Sequence, residues 1–120
     1  MIKIINIVYI NGKDEFILRY HIKGELHRDN GPSYINNERK EWYSEGILHK
    51  IGGPAIEWND GDSSWHKHGK YHREDGPAMC YYTTNYISFV LDGIHYEFSE
   101  FLKKTPYPSE ELIIEYGHLL

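Results

Sequence analysis

Eight histidines are the residues of this 120-residue chain best able to ligate metal or move protons. Three of them, His27, His49 and His72, recur at one position of a repeated frame. Ligands of one zinc ion each lie about 2 Å from it. Repeats that advance by two strands would hold equivalent residues about 9.6 Å apart. The three imidazoles are therefore expected to be structural, each filling the loop beside its glycines and donating to the backbone or an acid of a neighbouring repeat. Burying several such rings together would lower stability as pH falls through the imidazole range.

His66 and His68 pose a different question, because i and i+2 on a strand share a face. They would chelate an ion if a third ligand joined them, but none can be assigned, so they are expected to be an exposed pair. Acid/base catalysis asks for two carboxylates, or a His held against a partner, inside a cleft. Glu57, Asp60 and Asp62 instead cluster near an expected hairpin tip, where exposure keeps carboxyls ordinary. No phosphate-binding glycine loop, nucleophile elbow or H-E-x-x-H occurs. The residues thus imply neither a cofactor nor a metal. Cys80 is the only cysteine, which excludes an internal disulfide and fits a reducing cytoplasm; it is expected to be a buried or half-buried strand residue.

The elements that position these residues come from the repeat. Three blocks align without gaps: Tyr20 to Ser33, Trp42 to Ala55 and Trp65 to Ala78. In each, an aromatic is followed by Gly24, Gly46 or Gly69, then by His27, His49 or His72, then by a Gly-Pro pair ending at Pro32, Pro54 or Pro77. A degenerate fourth copy starts at Phe89, keeps Gly93, and loses the pattern at His95 and Tyr96. The period is roughly 22 residues, too short to bury a face alone, so neighbours must stack in order.

Spacers of eight, nine and ten residues separate the blocks, and variable length belongs to hairpin tips. Asp60-Gly61 reads as a two-residue hairpin turn between Ala55–Trp58 and Ser63–Lys67, with Asn59 to Asp62 as the turn region. The segment from the frame glycine through the histidine to Gly-Pro is expected to be a tight loop whose glycines take unusual dihedrals. Asn11-Gly12 between Ile2–Ile10 and Glu15–Ile22 predicts a starting hairpin with a type I′ turn. After the repeats, Ser99 as N-cap and the stretch from Ser109 to Tyr116 predict two short helices that cap the last strand's edge.

The fold class is therefore mainly β: an antiparallel meander of stacked hairpin repeats with one or two C-terminal capping helices, as a single domain over 1–120. The N-terminal hairpin occupies 1–19, the repeats 20–96 and the helical cap 97–120. Tyr20, Trp42, Trp65 and Phe89 are expected to form a stacked aromatic stripe in the core. Their successors His21, Tyr43, His66 and Val90 would then face the other side.

With 18 acidic and 13 basic residues the net charge is −5. That disfavours direct nucleic-acid binding through phosphate neutralisation and favours a partner with a basic surface. The apolar N-terminus is too short to span a bilayer and lacks a cleavage site, so a cytoplasmic protein without membrane contact is expected. Tyr and Trp are strong interface anchors. The partner-facing residues are accordingly expected to be Tyr43, Glu57, Trp58, Asp60, Asp62, His66, Tyr81 and Tyr82.

The frame W-x-x-x-G-x-x-H-R-x-x-G-P-A, best seen in Trp65 to Ala78, resembles tandem repeats in uncharacterised proteins of tailed phages and giant viruses. It is more distantly similar to MORN repeats. Lys50-Ile51 in the second block departs from the Arg-then-acid pair of the first and third. The first resemblance implies a viral origin, where small acidic proteins often inhibit host restriction or CRISPR nucleases, acting in the host cytoplasm. The leading functional expectation is a non-enzymatic protein-binding module of that kind. A small metal-dependent or His-based hydrolase and a self-assembling structural repeat protein, hence an oligomer, stand as alternatives.

Overall fold

The computed structural model describes the backbone of residues 1–120 and every side chain except that of Ile10. Fourteen strands and two α-helices follow one another along the chain. The first five strands are β1 (Ile2–Ile10), β2 (Lys13–Ile22), β3 (Glu25–Leu26), β4 (Tyr34–Asn36) and β5 (Arg39–Glu41). Next come β6 (Tyr43–Ser44), β7 (Ile47–Leu48), β8 (Ile56–Trp58), β9 (Ser63–Ser64), β10 (His66–Lys67) and β11 (Lys70–Tyr71). The chain ends with β12 (Met79–Tyr81), β13 (Tyr86–Leu91), β14 (Ile94–Tyr96), α1 (Phe98–Lys104) and α2 (Ser109–Tyr116).

The main sheet is an antiparallel meander in the order β1-β2-β4-β5-β8-β9-β12-β13-β14, with β3 paired on β2. Its central hairpins are the unequal spacers, and the frames build a second set of hairpins: β2–β3, β6–β7, β10–β11 and β13–β14. Each frame hairpin closes through a two-residue turn with positive φ at both positions, as in Glu45-Gly46 (52° and 79°) and His68-Gly69 (51° and 82°). That is the type I′ turn whose twist matches the strands. Asn11-Gly12 closes β1–β2 in the same way. The frame glycine therefore turns a hairpin, and the loop expected to begin there begins only after the second strand, at His27, His49 and His72.

Three other local expectations are corrected. Trp58 N–H donates to Asp62 O at 2.9 Å and Gly61 N–H to Trp58 O at 3.1 Å, and of these loop residues Gly61 alone has positive φ. The tip is thus a three-residue loop, Asn59-Asp60-Gly61, in place of a two-residue Asp-Gly turn. The strand after it ends at Ser64: Trp65 N–H still bonds Ala78 O (2.7 Å), one rung beyond the β9–β12 pairing, and His66–Lys67 joins a separate hairpin. At the C-terminus Glu97, not Ser99, is the N-cap position of α1, and Ser99 lies within the helix.

The largest apolar core lies at the C-terminal end, where Phe98, Phe101, Leu112 and Tyr116 close over Phe89. Phe101 and Leu112 are fully buried. Leu112 and Tyr116 are one helical turn apart, so both reach the same face. Thr105 Oγ1 donates to Glu74 O at 2.6 Å, tying the helices to the third repeat's loop.

The expected continuous aromatic stripe is corrected as well. Tyr20 and Phe89 are buried, but Trp42 and Trp65 are half-buried, and the rings cover cations instead of one another. Arg28 lies 4.0 Å from the Tyr20 ring centroid, Lys50 Nζ 3.8 Å from that of Trp42, and Arg73 3.9 Å from that of Trp65. A positive charge over an aromatic face is attracted to the ring quadrupole. In the fourth copy the matching position is Glu97, and helical side chains cover Phe89 where a cation would have sat.

Candidate functional site

The hairpin tips gather the residues best suited to hold a partner. Register places β9 between β8 and β12, with Ser63 opposite Glu57 on one side and Cys80 on the other. This brings Trp58 at the end of β8 next to Tyr81 at the end of β12, edge to face with centroids 5.8 Å apart. Tyr86 stacks behind Tyr81 at 6.1 Å. Trp58, Asp60, Asp62, Tyr81 and Thr84 line one shallow pocket of about 310 Å³.

Hydrogen bonds fix the carboxylates. Asp60 Oδ1 accepts from Asp62 N–H (2.9 Å), while Asp62 accepts from Thr83 N–H (3.1 Å) and Thr83 Oγ1–H (2.6 Å). Bonds of this kind hold the loop and leave the negative charge in place. Burial, and next the hydrogen-bonded neighbour Tyr71, push the Tyr81 phenol up to about 12, so it stays neutral at physiological pH. The result is an aromatic wall with an acidic rim, a setting for an Arg or Lys side chain.

The remaining expected partner residues lie elsewhere. Tyr43 donates to Glu41 Oε1 (2.9 Å) while Arg39 Nε donates to Glu41 Oε2 (3.0 Å), forming a separate polar cluster. Burial first and Glu41 second push Tyr43 up to about 12. Glu57 lies 3.8 Å from Lys50. Tyr82 is exposed on the short 3₁₀ turn Tyr82–Thr84, and partial burial, then Cys80, raise its pKa.

His66 corrects the sequence reading outright, since it is only 5% exposed, with Nε2 2.9 Å from Ser64 Oγ and its ring 4.4 Å from that of Tyr71. Burial pushes it down to about 4. It does not form a surface pair with His68, which is a turn residue stacked on His49 at 4.7 Å. Val90, expected with His66 on the side opposite the aromatic stripe, is fully buried.

The frame histidines bond the next repeat, with the donor direction reversed from expectation. Nδ1 of His27, His49 and His72 accepts from the backbone N–H of Glu45, His68 and Asp92, at 3.0, 3.1 and 2.9 Å. Each acceptor holds the first residue of the following frame turn. The turn glycine beside it donates to Leu26, Leu48 or Tyr71 of the preceding repeat. Sequence alone shows only that a ring with two nitrogens recurs, not which of them is protonated.

The glycines at Gly-Pro are also explained differently. Gly31, Gly53 and Gly76 do not have positive φ. A Cβ there would lie 3.0 Å from Arg28 Cζ, 3.1 Å from Lys50 Cε and 2.7 Å from Arg73 Cζ. Each cation is thus held between its ring and its glycine. Arg28 and Arg73 also donate to Pro32 O and Pro77 O at 3.2 Å, so the proline supplies the carbonyl that ends the loop. Lys50 occupies the same slot, which reconciles the second block with the other two.

A second cavity, of about 580 Å³, is lined by His49, His66, His68 and His72 together with Arg73 and Tyr107, among others. His66 Nδ1 and His72 Nε2 are buried without hydrogen-bond partners, although Glu74 Oε2 lies 3.4 Å from the latter. The lining includes no Ser, Thr or Cys. Among the described residues no group of three or more His, Cys, Asp or Glu could hold a metal ion, and no helix is long and apolar enough to cross a membrane. The chain matches no protein-family model, no curated protein and no solved structure.

Proposed function

We propose that the chain is a non-enzymatic protein-binding module that seats a basic segment of a partner protein against the face formed by Trp58, Asp60, Asp62 and Tyr81. The observation that carries this reading is the convergence of two aromatic rings and two carboxylates from separate spacers on one pocket. The net charge of −5 adds long-range attraction for such a partner. The repeat's resemblance to phage and giant-virus arrays extends the proposal to a viral inhibitor of a host defence protein, such as a restriction or CRISPR nuclease, in the host cytoplasm. Affinity capture from host lysate tests it. The expected result is a basic protein retained at moderate salt, released as salt rises, and lost with Trp58→Ala or Asp60→Asn. Capture that is indifferent to both substitutions, or no partner at all, counts against the reading.

A further inference from the structure

The main sheet is open at its N-terminal edge. β1 is nine residues long and pairs with β2 alone, whereas β14 at the other end is three residues long and adjoins α1. Proteins usually blunt an exposed edge with charge, proline, bulges or brevity. β1 has no proline, and Lys3 is its only charged residue.

The register shows which groups are free. Asn11-Gly12 is a two-residue turn, so Ile10 and Lys13 form a hydrogen-bonded pair and the ladder bonds recur at the even residues of β1. The N–H and C=O groups of Lys3, Ile5, Ile7 and Tyr9 therefore project outward. Ile5 lies opposite Leu18 and Ile7 opposite Phe16, making an apolar strip in which Ile5, Ile7 and Tyr9 are 60, 73 and 74% exposed. Monomeric proteins rarely leave a contiguous apolar face of more than a few hundred Å² uncovered.

We propose that β1 pairs antiparallel with β1 of a second copy, about a two-fold axis through Asn6, giving a closed dimer. The strand's own sequence selects this occupant and register. Ile2-Lys3-Ile4-Ile5-Asn6-Ile7-Val8-Tyr9 reads almost alike in both directions about Asn6. Ile5 then meets Ile7, Ile4 meets Val8, and Lys3 meets Tyr9, whose ring accepts a cation. The pairs Ile5 with Ile7 and Lys3 with Tyr9 are outward-bonding residues on both chains, so the ladder continues without a bulge. Asn6 meets Asn6 in a pair without ladder bonds, where Cα atoms approach to about 4.5 Å. The two-fold operation uses up both open edges, so association stops at two.

Light scattering after size exclusion at roughly 100 μM protein should give twice the 14.2 kDa chain mass. Ile7→Lys should halve it by setting charge into the seam. Ile5→Pro should do the same, because it deletes an outward N–H and leaves the β1–β2 ladder intact. Asn6→Cys should cross-link under mild oxidation at least about tenfold faster than Ile4→Cys, since only position 6 faces itself at disulfide distance; Cys80 is buried and stays out of the reaction. A wild-type monomer, open-ended oligomers, a dimer surviving both edge substitutions, or equal cross-linking at positions 4 and 6 would each overturn the proposal. Should Ile5→Pro fail to fold, the cysteine pair still decides.

Discussion

Gly76→Ala isolates the physical reason for a frame glycine. The added methyl would stand 2.7 Å from Arg73 Cζ and 3.0 Å from Nε and Nη1, closer than side chains tolerate, so the guanidinium must leave the Trp65 face. It would forfeit the ring contact at 3.9 Å and weaken its bonds to Asp75 (2.9 Å) and Pro77 O (3.2 Å). Arg73 is mostly shielded, with its side chain 17% exposed, so the ring contact contributes about 1 kcal/mol and the disturbed hydrogen bonds about another 1 kcal/mol. Against this, replacing glycine at an unstrained φ stabilises by about 0.4–1 kcal/mol through the unfolded chain. The net expected loss is about 1–2 kcal/mol, or a Tm lower by roughly 4–8 °C. In an Arg73→Ala background the same substitution should be neutral or slightly stabilising, a coupling of about 2 kcal/mol in a double-mutant cycle read by urea denaturation. An equal cost in both backgrounds would refute the sandwich as the reason for glycine.

Three further outcomes follow from the same geometry. His66 has a folded pKa near 4, set by burial, against about 6.5 when unfolded. Its contribution is therefore full above pH 6.5, is lost as pH falls from there toward 4, and amounts to about 3 kcal/mol; His66→Phe should flatten that part of the stability curve. Burial also lowers the pKa of His49, so its loss runs in the same direction. His72→Ala removes the acceptor for the Asp92 amide, and chemical denaturation should show a loss of about 1 kcal/mol. Phe101→Ala empties the centre of the C-terminal core, and calorimetry should show a loss of about 3–5 kcal/mol.

Much of the architecture was legible because turn chemistry is local. Asn11-Gly12 announced its hairpin in two residues, and the fixed frame announced stacked repeats. What escaped was decided across space. The cation over each ring sits eight positions along the chain and meets it only after a hairpin and a loop have closed. The burial of His66 could not be read from alternation, because a two-residue strand has no period to display. Asp60-Gly61 fits a two-residue turn by composition, but Asn59 enters the loop and only Gly61 takes positive φ. At the site, Trp58, Asp60, Asp62 and Tyr81 were legible as types of residue suited to binding. Their meeting depended on the β8–β9–β12 register, and Thr83, which holds Asp62, carried no signal of its own.

Amide hydrogen exchange on the chain bound to its captured partner tests the binding face most directly. Slowed exchange confined to Trp58–Asp62 and Tyr81–Tyr86 is the expected footprint. Slowed exchange at the histidine-lined cavity, with those two segments unchanged, would contradict it.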